Sequence, residues 1–415
     1  MIPQHAHYDV VIIGAGMVGA ALACALTHAG APPLKLLLVE ASRVQTGKAE
    51  QPGFDARSTV LSAGTIDYLK QLGLWQAMAP AAAAIEHIKV SDQGHFGGVR
   101  MASVEAGVAS LGHVVENAAI GRSFNDALLQ NPLLDLCSPV KVTALVPHVG
   151  GMQLALQAVE ADAAPATVTA SLVVLAEGGR SGLAQTLGIH INQNSYGQRA
   201  IIANVALSQP HRGIAYERFT PKGPLALLPL TPHSGRHRMA LVWTHPTDDT
   251  DAVLALADAD FLTSLQKDCG QRAGTLLHVG QRVSYPLTLQ VAEEQYRPSL
   301  VLLGNVAHTL HPVAGQGFNL ALRDAMALAA NVRQSLRDGQ RVGNVTRLQA
   351  WWQQVQQDQA RTIGFSDGMT RLFSNPNTGL SLLRKGGMAG LELLPPLKRL
   401  FMQQALGYHA PSVRL

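Results

Sequence analysis

The chain has 415 residues, too many for one ordinary hydrophobic core, so two or more domains are expected. Hydrophobic residues make up 47% and charged residues 14%, a balance that excludes an intrinsically disordered chain. Lys and Arg number 32 against 28 Asp and Glu, and they are scattered rather than gathered into a basic run, so nucleic acid is not an expected partner.

The three cysteines, Cys24, Cys137 and Cys269, lie far apart and form no CxxC pair. That argues against a redox dithiol or a zinc knuckle, leaves metal ligation unsupported, and makes a reducing compartment the simplest expectation. No charged segment leads into an apolar stretch before Tyr8, and no apolar run reaches about 18 residues. A cytoplasmic protein without a spanning helix is therefore expected.

In chain order, the first element is an apolar run within YDVVIIGAGMVGA, Tyr8 to Ala20, which predicts a strand, a glycine turn and a helix from Met17 to about Ala29. A second apolar run, LKLLLVE, spans Leu34 to Glu40 and completes a βαβ unit. Strands of a parallel sheet, buried on both faces, read as continuous apolar text. SLVVLAEG, Ser171 to Gly178, and SLVLLGN, from Ser299, have the same character and are assigned to the same sheet. Between about Ile189 and Tyr285 the text changes to alternating stretches such as RMALVWT, Arg238 to Thr244, divided by Pro and Gly turns. This predicts an inserted, mostly antiparallel layer. After Gly317 the text is helical through NLALRDAMALAANVRQSL and RLQAWWQQVQQDQARTIGFSDGMTRLF, and Pro395 and Pro396 interrupt a last helical stretch.

The fold class expected is therefore α/β: a discontinuous Rossmann-like nucleotide-binding domain over 1–75, 98–188 and 286–340, an inserted mostly antiparallel β domain over 76–97 and 189–285, and a helical region over 341–415.

Gly14, Gly16 and Gly19 make GxGxxG directly after a strand and at the start of a helix. In that context the first glycine permits the tight turn, the second lets a pyrophosphate approach the backbone, and the third lets helix and strand pack. Glu40 ends the second strand about 20 residues on, where an acid accepts hydrogen bonds from ribose hydroxyls and disfavours a 2′-phosphate. FAD or NAD fits this turn better than NADP. A second glycine-rich turn, GNVAHTLHPVAGQGFNLALRDA, runs from Gly304 to Ala325 after another apolar strand. Gly315, Gln316 and Gly317 are placed to offer backbone N–H groups at a helix start near Phe318, an end that would stabilise the negative charge of a reduced flavin. Two such turns suit a long dinucleotide.

Taken together, GAGMVG with Glu40, AEGGRSGL from Ala176 to Leu183, and GNVAHTLHPVAGQGFN resemble the class A flavoprotein aromatic hydroxylases of the para-hydroxybenzoate hydroxylase fold. PGFDARSTVLSAGT, Pro52 to Thr65, and ERFTPKGPLALLPL, Glu217 to Leu230, narrow the similarity to the ubiquinone-biosynthesis hydroxylases, in the polyprenyl methoxyphenol hydroxylase branch. The resemblance covers nearly the whole chain. It implies an FAD-dependent monooxygenase that takes a hydride from NAD(P)H, uses O2, and hydroxylates a polyprenylated methoxyphenol on the route to ubiquinone.

By the same resemblance Arg57 and Arg122 contact the cofactor, Asn305 stands where most relatives carry an aspartate on the ribityl chain, and Asn319 belongs to the GQGFN turn beside it. Pro312 is matched to the backbone lining the flavin's reactive C4a edge. Glu177 replaces the family's usual aspartate, which leaves Gly178 as a turn residue and no claim on NAD(P)H there.

Other residues carry two readings each. His308 and His311 are either structural hydrogen-bonding groups or, for His311, a proton relay near the flavin. GPLALLPL, Gly223 to Leu230, faces a ring pocket in the inserted sheet or is plain core. Trp351, Trp352, Phe373 and the LKRLF stretch at Leu397 to Phe401, edged by Lys398 and Arg399, meet either a membrane surface or an intramolecular or subunit interface, and other ubiquinone-biosynthesis proteins are candidate partners. The rival functions are a different FAD-dependent oxidase or dehydrogenase, and a non-catalytic FAD-binding assembly subunit.

Overall fold

The computed structural model describes residues 3–49, 51, 54–55, 57–94, 98–159, 165–311 and 315–374. Two large sheets organise these residues. The first carries parallel strands in the order Leu134–Cys137, Leu36–Val39, His7–Ile13, Ala166–Leu175, with Leu300–Leu302 joining the last of these in parallel. Gly151–Ala158 and Val140–His148 extend it antiparallel.

The apolar runs are continuous because successive residues enter two different cores. Val10, Ile12, Leu36, Leu38, Leu172 and Val174 face the core that holds the helices. Val11, Ile13, Leu37, Val39, Val173 and Leu175 enter the core on the opposite face. All are buried. The strands are shorter than the apolar text: Leu34, Lys35 and Glu40 lie outside Leu36–Val39, and the first helix stops at Leu26 rather than near Ala29.

The second sheet is mostly antiparallel, as the alternating text implies. Its path runs His308–Thr309, Val283–Ala292, Ile191–Leu207, Arg236–Pro246, Gly223–His233, Ile214–Thr220, His87–Asp92, Gly98–Ala102. One pairing, Ile214–Thr220 with His87–Asp92, is parallel. Alternation splits its faces. Leu225, Leu227, Leu241 and Trp243 pack with Phe261 and Leu265 of the helix Asp258–Cys269. Ala226, Leu228, Val242 and Thr244 turn the other way and line a cavity.

The boundary expected at 285/286 falls inside the strand Val283–Ala292, and that at 97/98 separates the paired strands His87–Asp92 and Gly98–Ala102. We propose that the division between the two units follows the sheets.

Two long helices close the described chain, Gln316–Arg337 and Val345–Ser374. They are stitched by a buried polar network. Asp324 takes hydrogen bonds from His308 Nε2 and Gln359 Nε2, both at 2.9 Å, and its carbonyl takes the Trp351 indole N–H at 3.1 Å. Among the described residues no helix is long and apolar enough to cross a membrane. The LKRLF stretch at Leu397 to Phe401 lies outside the described residues, as does Pro312.

Candidate active site

The nucleotide turn is built by close packing. Gly14 has a φ of +104°, and a Cβ there would stand 2.7 Å from the Cα of Glu177. A Cβ on Gly19 would come within 1.9 Å of the Gly14 carbonyl oxygen. Neither position admits a side chain. Gly16 differs: nothing lies within 4 Å of the Cβ it lacks, so its surface is open to a ligand. The helix Met17–Leu26 begins there with no side-chain cap and no acid in its first turn, leaving its N–H groups and positive end for an anion.

Glu40 is buried at the rim of this turn. One carboxylate oxygen accepts the N–H of Ala15 at 2.7 Å and the other the N–H of Ser42 at 2.8 Å. The acid therefore holds the turn in shape, and since a carboxylate offers about four lone-pair sites, it retains acceptors for ribose hydroxyls.

The three separated motifs meet at the ends of neighbouring strands. Ala176 N–H donates to the Ile13 carbonyl at 2.8 Å and Leu303 N–H to the Leu175 carbonyl at 2.9 Å. A Cβ on Gly179 would approach Val306 and the Asn305 carbonyl, and one on Gly304 would press on Val18 at 3.1 Å. Asn305 is exposed there. Glu177 accepts the N–H of Arg180 at 2.7 Å and the hydroxyl of Ser181 at 2.9 Å, so it caps its own turn. The substitution of Glu for Asp is thus absorbed locally.

At the second turn Gly315 is the N-cap of the 22-residue helix Gln316–Arg337, which begins two residues before Phe318. It too has neither a side-chain cap nor an acid in its first turn, and the position beside Gly317 is open. Both helix starts therefore fit the two ends of FAD. Asn319 is fully buried and its carboxamide is committed to the protein. It accepts the Ser62 N–H at 2.9 Å and donates to the carbonyls of Val60 at 2.9 Å and Gly315 at 2.7 Å. We read it as a positioning residue for the flavin-side turn rather than a direct contact.

The two arginines are placed differently. Arg57 pairs with Asp55 at 2.8 Å and lies over the Tyr285 ring, 4.6 Å from its centroid, while the Tyr285 hydroxyl donates to Asp55 at 3.0 Å. This cluster joins the nucleotide unit to the second sheet. Arg122 is exposed on the helix Asn117–Leu129, which packs against Met17–Leu26.

The two histidines also separate. His308 is tied to Asp324 in the helix network, a carboxylate partner that sequence reasoning did not foresee, and this supports its structural reading. His311 is buried, with its ring set edge-on to Tyr196 at 5.3 Å, and burial lowers it to about 4. Tyr196 in turn donates to Asp367 at 2.8 Å. His311 is therefore neutral at physiological pH. Among the described residues no cluster of His, Cys, Asp or Glu is arranged to hold a metal ion.

A cavity of about 100 Å³, on the scale of a single aromatic ring, lies between the flavin-side turn and the second sheet. Gly315, His311 and Val60 form one wall; Ala215, Glu217, Ala226, Leu228, Val242 and Thr244 form the other. Half of GPLALLPL thus faces the cavity and half is core. Glu217 is a cavity-lining acid that sequence reasoning did not single out, although its place two residues from Ala215 on the same strand face was the available signal.

Such a chain, with two anion-ready helix starts on adjoining strand ends and a largely apolar cavity beside the second, is a flavoprotein with a place for a ring. Residues 7–344 match the FAD binding domain family, and the chain belongs to it. It is 35% identical over 399 residues to ubiquinone hydroxylase UbiL of Rhodospirillum rubrum, covering 96% of this chain and 89% of that one. To 3-demethoxyubiquinol 3-hydroxylase of Escherichia coli it is 28% identical, covering 96% and 98%. The fold matches the crystal structure of p-nitrophenol 4-monooxygenase PnpA from Pseudomonas putida, with a TM-score of 0.74, 15% identity and 98% of each chain covered. The chain is an FAD-dependent aromatic hydroxylase with NAD(P)H as co-substrate. When bound, the flavin supplies the redox chemistry with NAD(P)H and O2. The residues around the cavity have the complementary tasks of excluding water and holding the ring.

Proposed function

We propose that this enzyme hydroxylates a polyprenylated methoxyphenol in the assembly of ubiquinone. The observation that carries the reading is the cavity, whose walls Val60, Ile85, Ile88, Ala226, Leu228 and Val242 are apolar and which meets the flavin-side turn at Gly315. Apolar walls suit a ring bearing a hydrocarbon tail, since each buried CH₂ contributes about 0.8 kcal/mol. The relatives named for ubiquinone hydroxylation support the pathway. Gly14, Gly16, Gly19, Glu40 and Asn305 serve the nucleotide and ribityl portions, Arg57 and Arg122 the charged middle, and Gly315, Gln316 and Gly317 the flavin end. A tailed substrate resides in the bilayer, so the enzyme works at the inner face of the cytoplasmic membrane as a peripheral protein, alongside other proteins of the pathway.

Cells lacking the protein should accumulate the polyprenyl methoxyphenol, and the purified flavoprotein should convert it to the corresponding diol with NAD(P)H. Flavin and NAD(P)H oxidation without a hydroxylated product would favour an oxidase. A protein that binds no flavin would favour an assembly role.

A further inference from the structure

Glu217 is an acid on an apolar strand face. Its strand, Ile214–Thr220, lies between Gly223–His233 and His87–Asp92, and Glu217 is paired with Ala226 on one side and Val90 on the other. Its side chain lines the cavity with Ile85, Ile88, Leu228 and Val242. Among the described residues no cation and no hydrogen-bond donor meets its carboxylate. Burial alone pushes it up to about 7. Such a placement is costly in an apolar setting and earns nothing for the fold.

A second polar group shares the cavity without a partner. Thr244 lines it, is 1% exposed, and its hydroxyl oxygen has no hydrogen bond among the described residues. Two unmatched polar groups within apolar walls mark where a polar substituent of a ring would sit. The other titratable groups around the cavity do not answer Glu217. His311, on the opposite wall, is neutral. Tyr216 sends its hydroxyl to the Arg272 carbonyl at 2.9 Å, and Lys89 lies over the Tyr216 ring.

We propose that Glu217 is a catalytic residue that accepts a hydrogen bond from the substrate's ring hydroxyl and takes its proton, with Thr244 offering a second polar contact to the same ring. This rests on the functional reading above. In the step the phenol O–H bond breaks and a carboxyl O–H bond forms. The electron pair stays on the phenol oxygen, which enriches the ring carbons ortho and para to it for oxygen transfer, and the carboxyl proton returns to that oxygen in the product. A carboxyl poised near neutral pH is matched to this task.

The test compares wild type with Glu217→Gln and Glu217→Asp holoenzymes. Flavin content by absorbance should be the same in all three. With a methoxyphenol carrying a short prenyl chain, Glu217→Gln should still consume NAD(P)H but form hydroxylated product at about one hundredth of the wild-type rate or less, the usual scale of a lost general base. Glu217→Asp should recover part of that loss. Independently, bound 4-nitrophenol should titrate to its yellow phenolate in two coupled steps in wild type, where it shares a proton with Glu217, and in a single step in Glu217→Gln. Product formation by Glu217→Gln within about threefold of wild type, with an unchanged pH profile, overturns the assignment. If wild type hydroxylates no prenylated phenol, the functional reading fails and the nitrophenol titration decides alone: identical titrations, or no binding of the probe by wild type, overturn the role of Glu217.

Discussion

The carboxamide of Asn319 accepts the backbone N–H of Ser62 at 2.9 Å, joining two residues 257 positions apart. Through its other bonds the same group fixes Val60, a cavity wall, against Gly315, the start of the flavin-side helix. One buried amide therefore sets the distance between the glycine turn at Gly315 and the cavity wall at Val60.

Replacing Asn319 by Ala should leave one backbone donor and two carbonyls without this partner, at a cost of about 2–3 kcal/mol in stability. Asn319→Asp should fare no better, because an ionised acid would face the carbonyls of Val60 and Gly315. Urea unfolding measures the first effect, and flavin release on dilution measures the second.

Gly16 and Gly19 should behave as opposites. Gly19→Ala drives a methyl into the Gly14 carbonyl and should lower the unfolding midpoint of the apoprotein by more than about 1–3 kcal/mol in equivalent stability. Gly16→Ala meets open space, so the apoprotein should unfold within about 0.5 kcal/mol of wild type. Its FAD affinity, titrated by flavin fluorescence, should nevertheless fall at least about tenfold, since the methyl occupies the approach of the pyrophosphate.

Asp324→Ala should destabilise the protein by about 3 kcal/mol, because it strands the buried His308 ring and removes one of the Gln359 amide's hydrogen bonds, leaving Gln359 held by Gln295 alone. His308→Asn should also cost stability yet leave the pH profile of hydroxylation per bound flavin unaltered. His311→Ala separates the two readings of that residue: single-turnover hydroxylation unchanged across pH would exclude a proton relay.

Stability should depend on pH in two opposing ways. His311 and His245 are both buried and lowered from 6.5 to about 4. The unfolded chain takes up protons there that the native state refuses, so stability is intact above about 6.5 and falls as pH drops toward about 4, by on the order of 2–3 kcal/mol for each residue. Glu217 is raised from 4.5 to about 7, so its contribution is present below 4.5 and is lost as pH rises toward about 7. Glu217→Gln should therefore be more stable than wild type above pH 7, by on the order of 1–3 kcal/mol, with the difference vanishing below about 4.5. Chemical denaturation across this range checks both signs.

Much of the cofactor site was legible along the chain because its motifs are local. A glycine turn between a strand and a helix can be read in 13 residues, Tyr8 to Ala20, and so can the strand-to-helix turn that follows Gly304. What escaped reading depends on pairing across long separations. Nothing in GQGFN says that Asn319 is spent on Val60 and Ser62, and nothing beside His308 says that Asp324 will meet it one helix later. Nothing in ERFTPKGPLALLPL marks Glu217, because only the register with Ala226 and Val90 sets it among apolar neighbours.

On the proposed function, this flavoprotein moves one oxygen atom from O2 onto a prenylated phenol. Incubating the holoenzyme with NAD(P)H, a prenylated methoxyphenol and isotopically heavy dioxygen, then weighing the product by mass spectrometry, tests it most directly. One heavy oxygen is expected in each product molecule, formed in proportion to NAD(P)H consumed. Complete conversion of the dioxygen to hydrogen peroxide, with the phenol recovered unlabelled, would contradict it.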